Sequence, residues 1–453
     1  MIYRQNMGKS FFDKNYTGEK GLALLKSRIL VDGYHIVVNL PKSHGSYIYN
    51  ELDGQEYLDF YSMFASLPVG YNHPGLKQAS YQKTLLEAAG LKPALSDVYS
   101  PHYARFVDCF NQLALRQKFR YLFFIEGGAM AITNALKVAF DWKSKLNQKR
   151  GISVPADQII HFQQAFHGRE GYTLSCTDSY DTRKTDLFPR WGWPRIFNPK
   201  IHAYEEDVHS KMTIEEREAK SIQEIEAAFQ KNKDRIAAIL IEPIQGEGGD
   251  NHFRKEFLQS LRDIANERDV LLIFDEIQCG MGLTGKWWCW EHLGIQPDIL
   301  ATGKKLQVAG IAVTDRIDRD GIDHCWKISS RINSTFGGNL CDMVRATRYI
   351  EIIEEEDLLK NITKLGKLTL NSLEKLGKKH PVTGVRGRGG MIAFDLPSKE
   401  IRNAVIKTAL EKERVVLLPS GRRSIRLRPI LSMTEKECLD GLSRIEKALH
   451  SIV

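Results

Sequence analysis

An acid and a lysine in two successive segments carry the most specific chemistry in this chain. The run Val270-Leu271-Leu272-Ile273-Phe274 ends abruptly in Asp275-Glu276, and further on Asp298-Ile299-Leu300-Ala301-Thr302-Gly303 leads into Lys304. An apolar run of that length bounded by charge reads as a buried strand of a parallel sheet. Open α/β sheets hold their ligands at the carboxyl ends of such strands. Asp275 is therefore expected with its stem in apolar surroundings and its charge at the mouth of a site. Pyridoxal 5'-phosphate chemistry needs a lysine amine for an imine and an acid that keeps the ring nitrogen protonated, so that the ring can draw electrons from the substrate. Asp275 and Lys304 suit those two tasks. Either residue alone could be purely structural, so the reading depends on the elements that would position them.

Those elements follow a regular alternation. Leu122 to Ile125 is a short apolar strand, Gly127-Gly128 a turn, and Ile132, Leu136, Ala139 and Phe140 fall at helical spacing. Strand, glycine pair and helix N-terminus together make an anion-binding device. QIIHFQQ is a second strand, followed by Phe166-His167-Gly168-Arg169. An aromatic at a strand end can stack on a planar ring, and an arginine there can take a carboxylate through two parallel hydrogen bonds. Taken singly, a core aromatic and a solvated surface charge are the plainer readings. Arg235 to Glu242 is a further apolar strand ending in an acid, and IQGEGGDNHF after it is a glycine-rich loop carrying Glu247. The helical stretch RKEFLQSLRDIANERD leads back to the Asp275 strand. The alternation through about 120–310 predicts one parallel sheet with crossover helices.

The flanks read differently. SYIYNELDGQEYLDF predicts a hairpin around Asp53-Gly54. The loop YSMFASLPVGYNHPGL after it is either plain surface or the lining of a pocket, across a subunit boundary. Residues 76 to about 120 are helical, broken by KPALSDVYSPHYARF, and the charged stretch 205–235 predicts a solvated connecting helix. After Lys304 come RINSTFGGNL and a helix, MVRATRYIEIIEEEDLL. From about 350 the order is helix, strands, helix, strands, helix, an α+β unit with Arg426 on its last strand. The expected division is an N-terminal segment 1–75 that joins the small domain, a large cofactor-binding domain 76–350, and a small α+β domain 351–453.

Composition excludes several classes. The chain has 453 residues with 64 basic and 56 acidic side chains, a net charge of +8 spread along its length. Nucleic-acid binding calls for a longer basic stripe with interleaved aromatics. The seven cysteines form no CxxC pair and are odd in number, which argues for reduced thiols rather than a disulfide framework or a metal site. No secretory signal and no stretch of about 18 apolar residues occurs. The expected location is the cytoplasm.

The ordered set GGA, FHGR, EPIQGEGG, FDEIQCG, GKK and STFGGN resembles the fold-type I, class III (ω-amino acid) aminotransferases over nearly the whole chain. FDWKSK, RWGWPRI, EPIQGEGGDNHFR and GKKLQVAG are most similar to the branch of that family that acts on the ε-amino group of L-lysine. Lys305-Leu306-Gln307-Val308 departs from the small, glycine-rich run of most members but fits that branch. The resemblance implies an α/β large domain, its sheet mostly parallel with helices on both faces, plus a smaller α+β domain. It implies pyridoxal 5'-phosphate, a homodimer with shared active sites, and transfer of the lysine ε-amino group to 2-oxoglutarate, giving 2-aminoadipate 6-semialdehyde and L-glutamate.

Residue by residue, it implies that Lys304 forms the imine and Asp275 meets the ring nitrogen. Gly128 and Ala129 offer N–H groups to the phosphate, Phe166 stacks on the ring, Gln278 bonds the ring hydroxyl, and Glu242 is a cofactor-site acid. Thr335 reaches the phosphate from the partner subunit. For substrate, Arg169 is expected to hold the distant carboxylate and Arg426 the near carboxylate of 2-oxoglutarate, while Gln278 and Asn333 contribute to binding. An unpaired buried charge is costly, so Glu247 is expected to pair with Arg426 while lysine is bound and to swing away for the keto acid. One departure is Thr133-Asn134, where relatives often carry a glutamate. The alternatives are another ω-aminotransferase acting on ornithine, 4-aminobutyrate or a diamine, a pyridoxal phosphate-dependent aminomutase, isomerase or decarboxylase on the same fold, and a regulatory relative without catalysis.

Overall fold

The computed structural model describes residues 10–204, 207 and 209–453. Residues 1–9 and the first positions of the predicted connecting helix lie outside the described residues; the remainder of that helix runs Ile214–Asn232, opened by a capping box between Thr213 and Glu216.

A seven-stranded sheet organises the centre. From edge to edge its strands are Tyr121–Ile125, Ala309–Val313, Ile299–Thr302, Leu271–Asp275, Ile236–Ile241, Gln158–Phe162 and Arg195–Ile196. The runs IAAILI and LLIFD are buried along their whole lengths, as a parallel sheet covered on both faces demands. Side chains alternate between the two faces. Leu271 and Ile273 pack with the helix Gly128–Lys149, whereas Leu272 and Phe274 pack with Phe257, Leu261 and Phe229 of the helices opposite. The sheet is not wholly parallel. Ala309–Val313 runs antiparallel to both its neighbours, because the link from Thr302 is a tight loop, too short for the crossover that a parallel pair needs.

The two ends of the chain fold together. The hairpin Tyr47–Asn50 and Gln55–Asp59 forms around Gly54, whose φ of 68° suits glycine. Its second strand pairs in parallel with Val415–Val416. Leu58 and Phe60 enter one core with residues of the helices Leu358–Leu376, Lys399–Glu411 and Glu435–His450. A four-stranded sheet completes this part, in the order Thr383–Arg388, Met391–Asp395, Ser424–Leu427, Leu418–Ser420. The stretch MVRATRYIEIIEEEDLL is not helical to its end: the helix Leu340–Glu355 stops first, and the helix that opens the C-terminal unit, Leu358–Leu376, begins after Asp357 turns left-handed at φ 48°. Among the described residues no helix is long and apolar enough to cross a membrane, and no cluster of His, Cys, Asp or Glu is arranged to hold a metal ion.

Candidate active site

Strand ends of the large sheet and the last strand of the small one meet at a cavity of ≈ 520 Å³. It is lined by Phe64, Gly128, Ala129, Phe166, His167, Gly168, Arg169, Glu170, Lys184, Glu242, Glu247, Asp275, Ile277, Gln278, Lys304 and Arg426. Ten of the twelve residues singled out from the sequence are in that lining. Thr335 and Asn333 are not: they lie on an exposed segment, where the Thr335 carbonyl accepts a bond from Ser96 Oγ at 3.1 Å and Asn333 Oδ1 accepts the Ser334 N–H at 2.6 Å.

Asp275 and Lys304 share the cavity because their strands are neighbours, with Asp275 in register with Ala301. Asp275 is buried. Its Oδ2 lies 2.8 Å from His167 Nδ1, and its Oδ1 accepts the Ile277 N–H at 3.1 Å. His167 is held in turn, since Thr177 Oγ1 accepts the N–H groups of His167 and Gly168 at 3.0 and 3.2 Å and donates to the Gly168 carbonyl at 2.7 Å. At Gly168, with φ 140°, a Cβ would meet Thr173 Oγ1 at 2.4 Å and Ala129 Cβ at 2.6 Å, so only glycine lets the two segments approach.

Lys304 follows Gly303 with a left-handed φ of 39°. That is an uncommon conformation for a residue with a side chain and is typical of strained functional positions. Burial, then the like charge of Arg426, pushes its amine down to about 8, with Asp275 the largest opposing influence. Glu242 accepts the Phe166 N–H at 2.8 Å through Oε1 and the Gly246 N–H at 3.1 Å through Oε2. It fastens the Phe166 segment to the glycine-rich loop. Burial, and then Asp275, holds its carboxyl well above the usual carboxylate range.

On the small-domain side Gln278 Oε1 accepts from Arg426 Nη1 at 3.1 Å and from Arg428 Nε and Nη2 at 3.2 and 3.0 Å. Gln278 lines the cavity, and among the described residues its amide nitrogen is not the group these arginines engage. Gly246 makes room for this amide, because a Cβ there would lie 2.3 Å from Gln278 Oε1. Arg428 is fully buried and held by Asp250 through two bonds of 2.8 and 2.6 Å. Burial and Arg428 push the Arg426 guanidinium down to about 10, and among the described residues its Nε has no hydrogen-bond partner. Among the described residues neither Arg169 nor Arg426 forms an ion pair. The expected Glu247–Arg426 pair is not formed in this conformation. Glu247 is bound instead by Lys184 Nζ and, at 2.7 Å, by Ser179 Oγ.

Sequence reasoning passed over His167, Arg428, Asp250 and Lys184. The i, i+2 spacing of Arg426 and Arg428 puts both on one face of a strand, a signal that was available. Nothing local marks Lys184, whose role depends on a loop folding over the cavity.

This site fits pyridoxal 5'-phosphate. The helix Gly128–Lys149 starts at the cavity wall, where first-turn N–H groups have no intrahelical partner and favour a phosphate. A Cβ at Gly128 would lie 3.1 Å from Ile277 Cδ1, so the cradle is shaped by that glycine. A buried carboxylate, an aromatic face and an amine of lowered basicity complete the set.

The fold and this cavity define a pyridoxal phosphate-dependent transferase. The aminotransferase class-III profile matches residues 30–449, and the chain belongs to that family. It is 42% identical over 433 residues to the L-lysine-epsilon aminotransferase of Amycolatopsis lactamdurans, covering 94% of this chain and 95% of that one. It is 43% identical to the L-lysine-epsilon aminotransferase of Mycobacterium tuberculosis, covering 94% of each. The solved structure of lysine aminotransferase from M. tuberculosis superposes with a TM-score of 0.91 and 42% identity, over 95% of this chain and 98% of that one.

Proposed function

We propose that the protein transfers the ε-amino group of L-lysine to 2-oxoglutarate, giving 2-aminoadipate 6-semialdehyde and L-glutamate. The observation that carries the acceptor is the presence of two guanidiniums, Arg169 and Arg426, in the Lys304 cavity with no acid among the described residues paired to either. A five-carbon keto diacid supplies two carboxylates for them. The donor is supported by the activity named for the relatives above.

Pyridoxal 5'-phosphate, when bound, supplies the electron sink that makes the carbon bearing the amino group acidic. The chain's own residues do the rest. Gly128 and Ala129 would hold the phosphate at the helix N-terminus, Phe166 and Ile277 would offer apolar surface to the ring, and Glu242 keeps the Phe166 segment in place. Asp275, oriented by His167 and the Ile277 N–H, would keep a proton on the ring nitrogen by its charge. Gln278 offers its amide N–H. Lys304 Nζ, at about 8, accepts and returns a proton near neutral pH. Arg169 takes the carboxylate farther from the reacting carbon in both substrates, and Arg426 takes the nearer one of 2-oxoglutarate.

Thr335 and Asn333 complete the site from a second copy of the chain. Large exposed apolar residues such as Leu86, Leu91, Val98 and Tyr99 support a homodimer. The working division is 1–75 with 351–453 as the small domain and 76–350 as the large one, in a cytoplasmic enzyme. The test compares L-lysine, L-ornithine and 4-aminobutyrate as donors to 2-oxoglutarate, reading glutamate formed by the cofactor-loaded protein. Lysine should give the highest kcat/KM. A higher value for either rival, or product formed without any keto acid, overturns the assignment.

A further inference from the structure

We propose that Lys184 is the docking partner that draws Glu247 off Arg426 and so tunes the site toward its dicarboxylate substrate. This rests on the two-arginine reading above. Lys184 ends the short turn Thr182–Lys184 and reaches into the cavity. Its Nζ forms an ion pair with Glu247 Oε1, and Ser179 Oγ donates to the same oxygen at 2.7 Å. Lys184 Nζ also lies 3.3 Å from Ser179 Oγ. Among the described residues the other acid near it, Asp181, is 3.9 Å away and already clasped by Arg183 through bonds of 2.6 and 2.9 Å. Glu247 is therefore the acid that Lys184 engages most closely. Both side chains are only about one-fifth exposed, 18% and 19%, so solvent screens the pair less than it would at the surface.

The geometry makes this a choice for one side chain. The Glu247 carbonyl accepts the Gly421 N–H at 2.9 Å, and an added Cβ at the flanking Gly246 or Gly248 would lie 2.3 Å from Gln278 Oε1 or 2.1 Å from the Gln164 carbonyl oxygen. The loop backbone is tied down on both sides of Glu247. Rotation of its side chain carries the carboxylate from Lys184 and Ser179 toward Arg426, which lines the same cavity. When Glu247 is on Lys184, Arg426 is open to a carboxylate. When lysine is the substrate, its reacting carbon brings no carboxylate, and Glu247 must leave Lys184 to cover Arg426. Lys184 thus favours the keto-acid form and opposes the lysine form. A ligand's apparent affinity falls in proportion to the fraction of protein in the competent form.

Glutarate separates binding from turnover, since it carries both carboxylates and no reacting oxo group. Its dissociation constant for the cofactor-loaded protein, read by titration calorimetry, should rise about tenfold in Lys184→Met, while kcat/KM for lysine rises. In a Glu247→Gln background the Lys184→Met change should have almost no effect on glutarate. Lys184→Arg keeps the cation and should restore tight binding, and it serves if the methionine variant does not fold. Weakened glutarate binding that persists in the Glu247→Gln background would mean that Lys184 contacts the ligand directly, and would overturn the docking role. So would an unchanged constant in Lys184→Met. Because glutarate does not react, a wrong amino donor would leave this result intact.

Discussion

At the level of single residues, the amine of Lys304 sets a pH dependence. Burial and the nearby charges of Arg426 and Arg428 disfavour the ammonium form, while Asp275 and Glu242 favour it, and the balance is about 8. The amine is a nucleophile only when unprotonated. Incorporation of pyridoxal 5'-phosphate into cofactor-free protein should therefore quicken as pH rises through about 8, followed as the growth of visible absorbance. Asp275→Asn removes a charge that favours the ammonium form, so the midpoint should move lower. A rate that is flat with pH, or a midpoint that moves up in this variant, contradicts the balance. Asp275 and Lys304 were legible because a long apolar run ending in charge marks a buried strand and the point where it emerges. His167 was not, since nothing in FHGR says that its ring will lie against a carboxylate from a strand more than a hundred residues away. Asn134, at the one noted departure, merely donates to the Met130 carbonyl one helical turn back at 2.9 Å.

At the level of elements, the loop at the cavity rim is built from an unfavourable backbone. Ser62, Met63, Phe64 and Ala65 have φ of 40°, 52°, 58° and 65°, a left-handed turn that costs roughly 1–2 kcal/mol per residue with a side chain. Asp59 Oδ1 accepts the N–H groups of Tyr61 and Ser62, both at 2.7 Å. Buried Lys305 donates to the Ala65 carbonyl at 2.8 Å and Gln307 to the Ser66 carbonyl at 2.7 Å. The segment that carries Lys304 thus fastens the rim that presents Phe64 to the cavity. Lys305→Met removes one of these ties and should raise KM for lysine several-fold while leaving kcat nearly unchanged. Stability supplies a second readout. Burial pushes Lys305 down to about 7 from an ordinary 10.5, so between those values the unfolded chain binds more protons and wild-type stability rises with pH. Denaturation midpoints of wild type minus Lys305→Met should therefore grow from pH 7 to pH 9. A constant difference would mean that the lysine is not the buried titrating group. The loop's composition suggested a pocket, but its handedness was hidden, because it is imposed by bonds from residues far along the chain. The strands Ile236–Ile241 and Leu271–Asp275 were readable from their apolar runs alone. The antiparallel strand Ala309–Val313 was not, since AGIAV carries no sign of direction.

At the level of the whole molecule, the site exists because the chain closes on itself. Arg426 comes from the last strand of the terminal sheet and Lys304 from the central sheet, and the hairpin at Gln55–Asp59 ties to Val415–Val416. The α+β character of the C-terminal end was evident from its element order, but this parallel pairing leaves no local trace. The same argument extends to a second copy. Thr335 sits on an exposed segment outside its own chain's cavity, so in the proposed homodimer each site takes Lys304 from one chain and Thr335 from the other. Lys304→Ala chains alone should be inactive. Thr335→Ala chains alone should hold pyridoxal phosphate about tenfold more weakly, as loss of one hydrogen bond to a charged group predicts. Mixed by coexpression, the two give hybrid dimers in which one site carries both defects and the other carries neither. At limiting cofactor the mixture should then recover about a quarter of wild-type activity, since half the dimers are hybrids and half their sites are intact. Activity no greater than the sum of the two separate variants would place Thr335 and Lys304 in the same chain's site, and the shared-site dimer would have to be abandoned.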